Sequence, residues 1–197
     1  MAKYPLSYFV RHGQTDWNVA VRFQGQEDVD INSTGWSQAD DNGRKLAGIL
    51  GKAPGFDFVA SPLRRTRETM RRVRTQMHLS PDDFHTDARL MELNFGDWQG
   101  YVAAEIEARD PGVIAQRDRD KWNFRPPGAK AESYAILARR VRDWLDELTQ
   151  ETVGVIHGGV IRALFHLIEG VPGEASESLA QPPDLILKLE DDRLTWI

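Results

Sequence analysis

"SYFVRHGQTDWN", residues 7–18, begins as an apolar, β-forming run and becomes a polar loop at Arg11. Tyr8, Phe9 and Val10, with Leu6 ahead of them, read as a short buried strand over residues 6–10. A cation, a titratable imidazole and a glycine follow at once as Arg11-His12-Gly13. "VGVIHGGVIR", residues 153–162, is built the same way: residues 152–156 form an apolar run and His157-Gly158-Gly159 follows it. Between the two, "FDFVA", residues 56–60, reads as a strand that opens into Ser61-Pro62-Leu63-Arg64-Arg65.

Helical patterns separate these strands. In "INSTGWSQADDNGRKLAGILG", residues 31–51, Ser33 or Thr34 offers an N-cap, Leu46, Ile49 and Leu50 an apolar edge, and Gly51 a stop. After residues 56–60, Ser61 reads as an N-cap with Pro62 at the first helical position. Residues 101–109 read as helical and are ended by Asp110-Pro111-Gly112. Over residues 132–148, Leu137, Val141, Trp144, Leu145 and Leu148 recur at helical spacing, so one face of that helix packs on the sheet. Residues 160–168 form a helix closed by Gly170, and "LILKLEDDRLTWI", residues 185–197, alternates about Asp191-Asp192 as a closing hairpin. Strands alternating with helices predict an α/β three-layer sandwich, a mostly parallel central sheet with helices on both faces. Residues 1–197 read as a single domain, "RPPGAKA" (125–131) as a loop within it.

Bulk properties narrow the function. A net charge of −5 disfavours nucleic acid and anionic membrane surfaces as partners. With no cysteine, disulfides, thiolate metal sites and thiol nucleophiles are excluded. No apolar run approaches the ~20 residues of a membrane span, and the N-terminus lacks a signal-peptide pattern, so a cytoplasmic location is expected. His78, His85 and His166 show no metal-ligand spacing, and neither a metal nor a cofactor is called for.

In a parallel sheet the carboxyl ends of the strands share one edge, where ligands of such folds bind. Arg11-His12, Arg64-Arg65 and His157 would converge there. Guanidinium forks and helix-start N–H groups suit a phosphate, and the glycines beside the histidines let backbone approach a ligand closely. Next to arginines the imidazolium is disfavoured, which leaves His12 as a neutral nucleophile able to form a covalent intermediate. Arg11, Arg65 and His157 could neutralise a transferring phosphoryl group without a metal. A leaving alkoxide needs a proton, and Glu92 in "RLMELNFGDWQG" precedes a Gly- and aromatic-rich turn that would fix its direction.

"RHGQTDWN", "RFQG", "SPLRRTRET", "RLMELNFGDWQG", "PPGAKAESY" and "HGGVIR", in this order between residues 11 and 162, resemble the motifs of the histidine phosphatase superfamily, the phosphoglycerate mutase-like proteins. The resemblance implies a phosphohistidine intermediate on His12, with Arg11, Arg65 and His157 on the transferred group and Glu92 as proton donor. It selects Arg65 over Arg64, and it adds Asn18, Gln24 and the backbone at Gly158 as phosphate or substrate contacts. "FGDWQG" and the lack of a substantial segment after Glu92 resemble the phosphatase branch more than the mutases. The implied activity is that of a metal-independent phosphoric monoester hydrolase of the histidine acid phosphatase type. Its substrate would be a small phosphorylated metabolite, with a phosphoprotein as the alternative, under a lid at about residues 101–130. Ile156 stands before His157 where the pattern often has Ser or Thr, which removes a hydroxyl contact, and Thr66, Ile31 and Gln99 depart from its usual residues and read as packing or surface changes. Oligomeric state and pathway stay open.

Two further functions fit the motifs: cofactor-dependent phosphoglycerate mutase-type transfer, and non-catalytic binding of a phosphorylated ligand. The residues also have ordinary readings. Glu92 could cap a turn or pair with Arg89, and Asn18 and Gln24 could be turn residues. Arg67, Arg71 and Arg74 read as a solvated helix face, not a nucleic-acid contact. The six tryptophans read mostly as packing, with Trp17 and Trp122 as pocket walls.

Overall fold

Alternation along the first strand sets the layering. A computed structural model describes residues 2–176 and 178–197, and in it β1 spans Ser7–Arg11. Tyr8 and Val10 join one buried cluster while Phe9 joins the other, as a period of two requires. The further strands are β2 (Asp57–Ala60), β3 (His85–Thr86), β4 (Thr152–Ile156), β5 (Ile186–Glu190) and β6 (Arg193–Trp196). Their order across the sheet is β3-β2-β4-β1-β5-β6. The first four are parallel, and β5 and β6 add an antiparallel edge. Asp191 and Asp192, both in the left-handed region at φ 51° and 58°, turn the closing hairpin.

The chain's helices are α1 (Asp16–Val19), α2 (Ser33–Leu50), α3 (Arg64–Gln76), α4 (Ala103–Arg109), α5 (Val113–Arg119), α6 (Tyr134–Asp146), α7 (Gly158–Ile168) and α8 (Gly173–Ser176). Leu46 of α2 and Met70 and Val73 of α3 pack with Tyr8, Val10, Val153 and Val155 on one face. Leu137, Val141, Trp144 and Leu145 of α6 and Val160, Ile161 and Leu164 of α7 pack with Phe9, Ile156 and Leu187 on the other. The expected α/β sandwich is therefore the observed fold. A smaller cluster of Trp98, Ile106 and Val113, flanked by Phe23, Phe95 and Phe124, ties α4 and α5 to the loops above the sheet edge.

Several expected boundaries move, each for a local reason. Asn32, not Ser33 or Thr34, caps α2, its side chain accepting from the Gly35 N–H at 3.0 Å. Ile49 is 49% exposed, because the buried stripe of α2 runs through Ala39, Asn42 and Leu46. Ser61 and Pro62 precede α3 without capping it; the helix starts at Arg64, whose N–H donates to Asp28 Oδ1 at 2.6 Å. Between Val160 and the strand, α7 gains a first turn at Gly158 and Gly159. Arg74 is buried, not solvated: it lies over the Phe58 ring and donates to the Ser80 carbonyl at 2.6 Å. Trp122 is buried between Tyr134 and His166 and lines a separate cavity beside α6 and α7, whereas Trp17 lines the cavity at the strand ends.

Phe9 is fully buried at the centre of the sheet, opposite Gly154 in register and edge-on to Trp144 at 6.0 Å. Phe9→Ala is expected to lower the unfolding free energy by about 3–5 kcal/mol in urea denaturation. A loss below about 1 kcal/mol would show that this junction of strand and helix is not the core the packing describes.

Candidate active site

Parallel pairing brings the ends of β1, β2 and β4 to one edge, and the sequence-expected side chains follow. His12 leaves β1 with its N–H on the Ile156 carbonyl at 3.0 Å, so the strand ladder itself places the residue next to β4. His157, one residue beyond β4, stands at the cap position of α7. The two imidazoles meet edge to face at 5.1 Å between centroids. Arg65 comes from the first turn of α3 and is fully buried.

Each of these groups is tied on one side. His12 Nδ1 lies 2.8 Å from the Gly13 carbonyl. A carbonyl only accepts, so Nδ1 carries the proton and Nε2 keeps its lone pair. Arg65 donates to the Gly25 carbonyl at 2.7 Å and to the Glu27 carbonyl at 2.8 Å. Arg11 donates to the Gln181 carbonyl at 2.8 Å. His157 Nε2 is 2.8 Å from Ser61 Oγ. Among the described residues, Arg11 Nε, Arg65 Nε, His157 Nδ1 and Gln24 Oε1 are buried with no hydrogen-bond partner. With Arg162 Nε, likewise buried and without a partner, these atoms gather at one place that the protein leaves unsatisfied.

Electrostatics follow from burial. Desolvation first, then the Arg65 and Arg11 cations, hold His12 well below the ordinary imidazole pKa of 6.5. His157 is held low by burial, by Arg65 and by His12. Arg65 is pushed down to about 10, mainly by burial and against the pull of Glu92, so it stays charged at neutral pH. The arrangement is two neutral imidazoles between two guanidinium cations.

Glu92 stands where the motif order put it, facing the same edge. Its carboxylate accepts from the Leu93 N–H at 2.8 Å and from the Gly159 N–H at 3.1 and 3.2 Å, in the first turn of α7. Its backbone carbonyl accepts from Arg140 and from Gln26 Nε2, each at 3.0 Å. Arg140 in turn pairs with Glu132 at 2.9 Å and donates to the carbonyls of Arg89 and Met91. Arg89 pairs with Asp87 and Glu147, so the ordinary reading of Glu92 as its partner does not hold. The glycines also serve a different end from the expected approach to ligand. A Cβ on Gly13 would come within 2.4 Å of the Gly35 carbonyl oxygen, and one on Gly159 within 2.2 Å of Glu92 Oε1. Both clear protein groups that shape the site.

A cavity of about 330 Å³ opens here, lined by Arg11, His12, Asn18, Gln24, Arg65 and Glu92. Asn18 Oδ1 also accepts from the Thr15 N–H at 3.0 Å in a capping box, so the residue serves α1 as well as the cavity wall. His157 and Gly158 are buried beside the cavity and do not line it. Gln99 is no mere surface change: its Oε1 accepts from the Gln26 N–H at 2.7 Å beneath the Gly25 turn that holds Arg65. Sequence reasoning missed Arg22, Arg117, Lys121, Tyr134 and Arg162, which also line the cavity. Arg162 lies inside the quoted "HGGVIR" motif and was within reach. Arg117 and Lys121 carry no local signal.

Comparisons with known proteins agree. A family model described as the histidine phosphatase superfamily (branch 1) matches residues 7–196. A glucosyl-3-phosphoglycerate phosphatase of Mycobacterium tuberculosis is 36% identical over 175 residues, 83% of this chain and 74% of that protein. A 2,3-bisphosphoglycerate-dependent phosphoglycerate mutase of Nitrobacter winogradskyi is 30% identical over 200 residues, covering 95% and 93%. A solved mycobacterial glucosyl-3-phosphoglycerate phosphatase, complexed with VO3, superposes with a TM-score of 0.77 at 28% identity, covering 98% and 96%.

The buried cations give a pH expectation. A solvated imidazole near pKa 6.5 is mostly protonated at pH 5.5. The His12 ring, identified by loss of its NMR signals in His12→Gln, is expected to titrate below that ordinary value. A midpoint at or above 6.5 would contradict the site's electrostatics.

Proposed function

The chain belongs to the histidine phosphatase superfamily, branch 1, as a phosphatase of that type, and from that we propose that it hydrolyses a small phosphate monoester through a phosphohistidine on His12. The carrying observation is the set of buried, unpartnered polar atoms of Arg11, Arg65 and His157 beside a His12 whose Nε2 lone pair is left free by its bond to Gly13. Those groups match the oxygens of one phosphoryl group.

In the proposed reaction His12 Nε2 forms a bond to phosphorus while the ester P–O bond breaks, and Glu92 gives a proton to the leaving oxygen. Water then bonds to phosphorus as the N–P bond breaks, its proton passing to Glu92. Arg11 and Arg65 bear the charge of the transferring group throughout, which supports a metal-independent hydrolase of the histidine acid phosphatase type. Asn18 and Gln24 stand on the cavity wall where the phosphate or its leaving group would lie.

For the substrate we place a phosphorylated metabolite with a second anionic group. Arg117, Lys121 and Arg162 line the same cavity beyond the two arginines that a phosphate would occupy. A relative is named for a phosphoglycerate ester, which carries such a group. The α4–α5 segment, inside the expected lid at 101–130, supplies Arg117 to that wall. Among the described residues no helix is long and apolar enough to cross a membrane, and a cytoplasmic site of action accords with a metabolite substrate.

Hydrolysis of p-nitrophenyl phosphate is expected to survive chelator, to be inhibited by vanadate and to vanish in His12→Ala. Full activity in that variant would overturn the phosphohistidine. Isomerised phosphoglycerate in place of free phosphate would turn the reading toward a mutase, the name of the second relative. Glu92→Gln is expected to slow an alkyl phosphate by ~10²–10⁴-fold, the usual worth of a general acid. It should slow p-nitrophenyl phosphate far less, since nitrophenolate leaves without a proton. Equal losses of kcat/KM on both, a quantity that reports transfer to His12 and not the shared hydrolysis of the phosphohistidine, would remove Glu92 from the proton-donor role.

A further inference from the structure

Ser61 lies outside the cavity, fully buried, at the end of β2, and its hydroxyl reaches His157. The hydrogen bonds around it decide what that contact does. Ser61 Oγ accepts from the Leu63 N–H at 3.4 Å, while the Ser61 carbonyl accepts from Thr66 Oγ1 at 2.8 Å. Among the described residues the remaining neighbour of the hydroxyl is His157 Nε2 at 2.8 Å. His157 Nδ1 is buried with no partner.

Two proton placements are open to a neutral imidazole. With the proton on Nε2, that N–H donates to Ser61 Oγ, and the serine's own buried proton has nowhere to go. Nδ1 would then be a buried acceptor without a partner, near the Arg65 and Arg11 cations. With the proton on Nδ1, Ser61 O–H donates to Nε2, and both hydroxyl functions are satisfied. The unpartnered group is then an Nδ1–H donor, which an anion satisfies. A buried unpaired polar group costs ~1–3 kcal/mol, so the second placement is favoured by the one group it satisfies, the serine proton, while Nδ1 has no protein partner in either.

We propose that Ser61 is a positioning residue that fixes the Nδ1–H tautomer of His157, so that this N–H is the donor His157 presents to a phosphate held beside His12. This rests on the phosphatase reading for its ligand, not for its tautomer. Ser61 never touches the reacting atoms; it acts through His157. The mirror arrangement at His12 supports it, for there the Gly13 carbonyl takes the Nδ1 proton and frees Nε2.

Long-range ¹H–¹⁵N NMR on the ligand-free protein reads the tautomer directly, with His157 signals identified by their loss in His157→Gln. The expected result is a protonated Nδ1 and an unprotonated Nε2 for His157, opposite in its free nitrogen to His12. An Nε2–H tautomer overturns the proposal, whether or not the protein turns out to be a phosphatase. Vanadate binding supplies the second readout. Ser61→Ala is expected to weaken it by about tenfold, the worth of one hydrogen bond to a charged group. Ser61→Thr, which keeps the hydroxyl, should restore most of it. Vanadate affinity in a folded Ser61→Ala equal to wild type would overturn the positioning role, and should that variant not fold, the wild-type tautomer decides alone. If no phosphomonoester is hydrolysed while the tautomer is as expected, the functional reading fails and the Ser61 assignment stands.

Discussion

Two arginines and two histidines are taken out of water at one edge of the sheet, and the rest of the site answers that cost. Removing a cation from water is expensive unless its donors are satisfied. The chain meets Arg65 with the Gly25 and Glu27 carbonyls and Arg11 with the Gln181 carbonyl. Carbonyls supply acceptors without neutralising charge, so the guanidiniums stay cationic and keep Nε unpartnered. Carboxylates in those places would have closed the ion pairs internally and left nothing for an anion. The imidazoles meet the same cost the other way, by staying neutral under burial and the neighbouring positive charges. One constraint thus leaves unpartnered guanidinium donors beside a neutral imidazole, the pair that the proposed reaction uses as anion grip and nucleophile.

Glu92 is held by a separate mechanism that links the two faces of the site. Arg140, on α6, gathers the carbonyls of Arg89, Met91 and Glu92 with one guanidinium while Glu132 balances its charge. That fixes the backbone from which the carboxylate projects. The carboxylate itself rests on the N–H of Gly159, so the start of α7 sets the height of the acid as well as the position of His157. The same helix therefore registers the Glu92 carboxylate against the histidine pair, and a side chain at Gly159 would displace Glu92 Oε1 from that N–H.

Much of this was legible because it is periodic or contiguous. Alternation in "SYFV" and "TVGVI" and the helical spacing of Leu137, Val141, Trp144 and Leu145 carried the sandwich, since burial on two faces dictates those periods. His12, His157 and Arg65 were legible because strand ends in a parallel sheet share an edge. Contacts between residues far apart in the chain were not. The start of α3 depends on Asp28, 36 residues away, and not on the local Ser61-Pro62 signal. Arg140 is one arginine among many on a helix until its three carbonyl acceptors are in place. Arg117 and Lys121 reach the cavity from α5 and the turn after it, and no short pattern announces that. Arg74 misled for the same reason: helical spacing gives a face, and only Phe58 and Ser80 show that the face is covered.

The two histidines share a flanking pattern, His-Gly after an apolar strand, yet the fold makes them unlike. His12 is bonded through Nδ1 to the carbonyl of its own neighbour, a contact fixed by the local chain. His157 is bonded through Nε2 to Ser61, a contact made possible only by the pairing of β2 with β4. Each ring therefore commits a different nitrogen to the protein, Nδ1 in His12 and Nε2 in His157. In the proposed reaction the nucleophile exposes a lone pair and the partner for phosphate exposes a proton, which two rings bonded the same way could not both supply. The division of labour is thus set by which nitrogen each ring has already spent, and the sheet order, not the motif, decides that for His157.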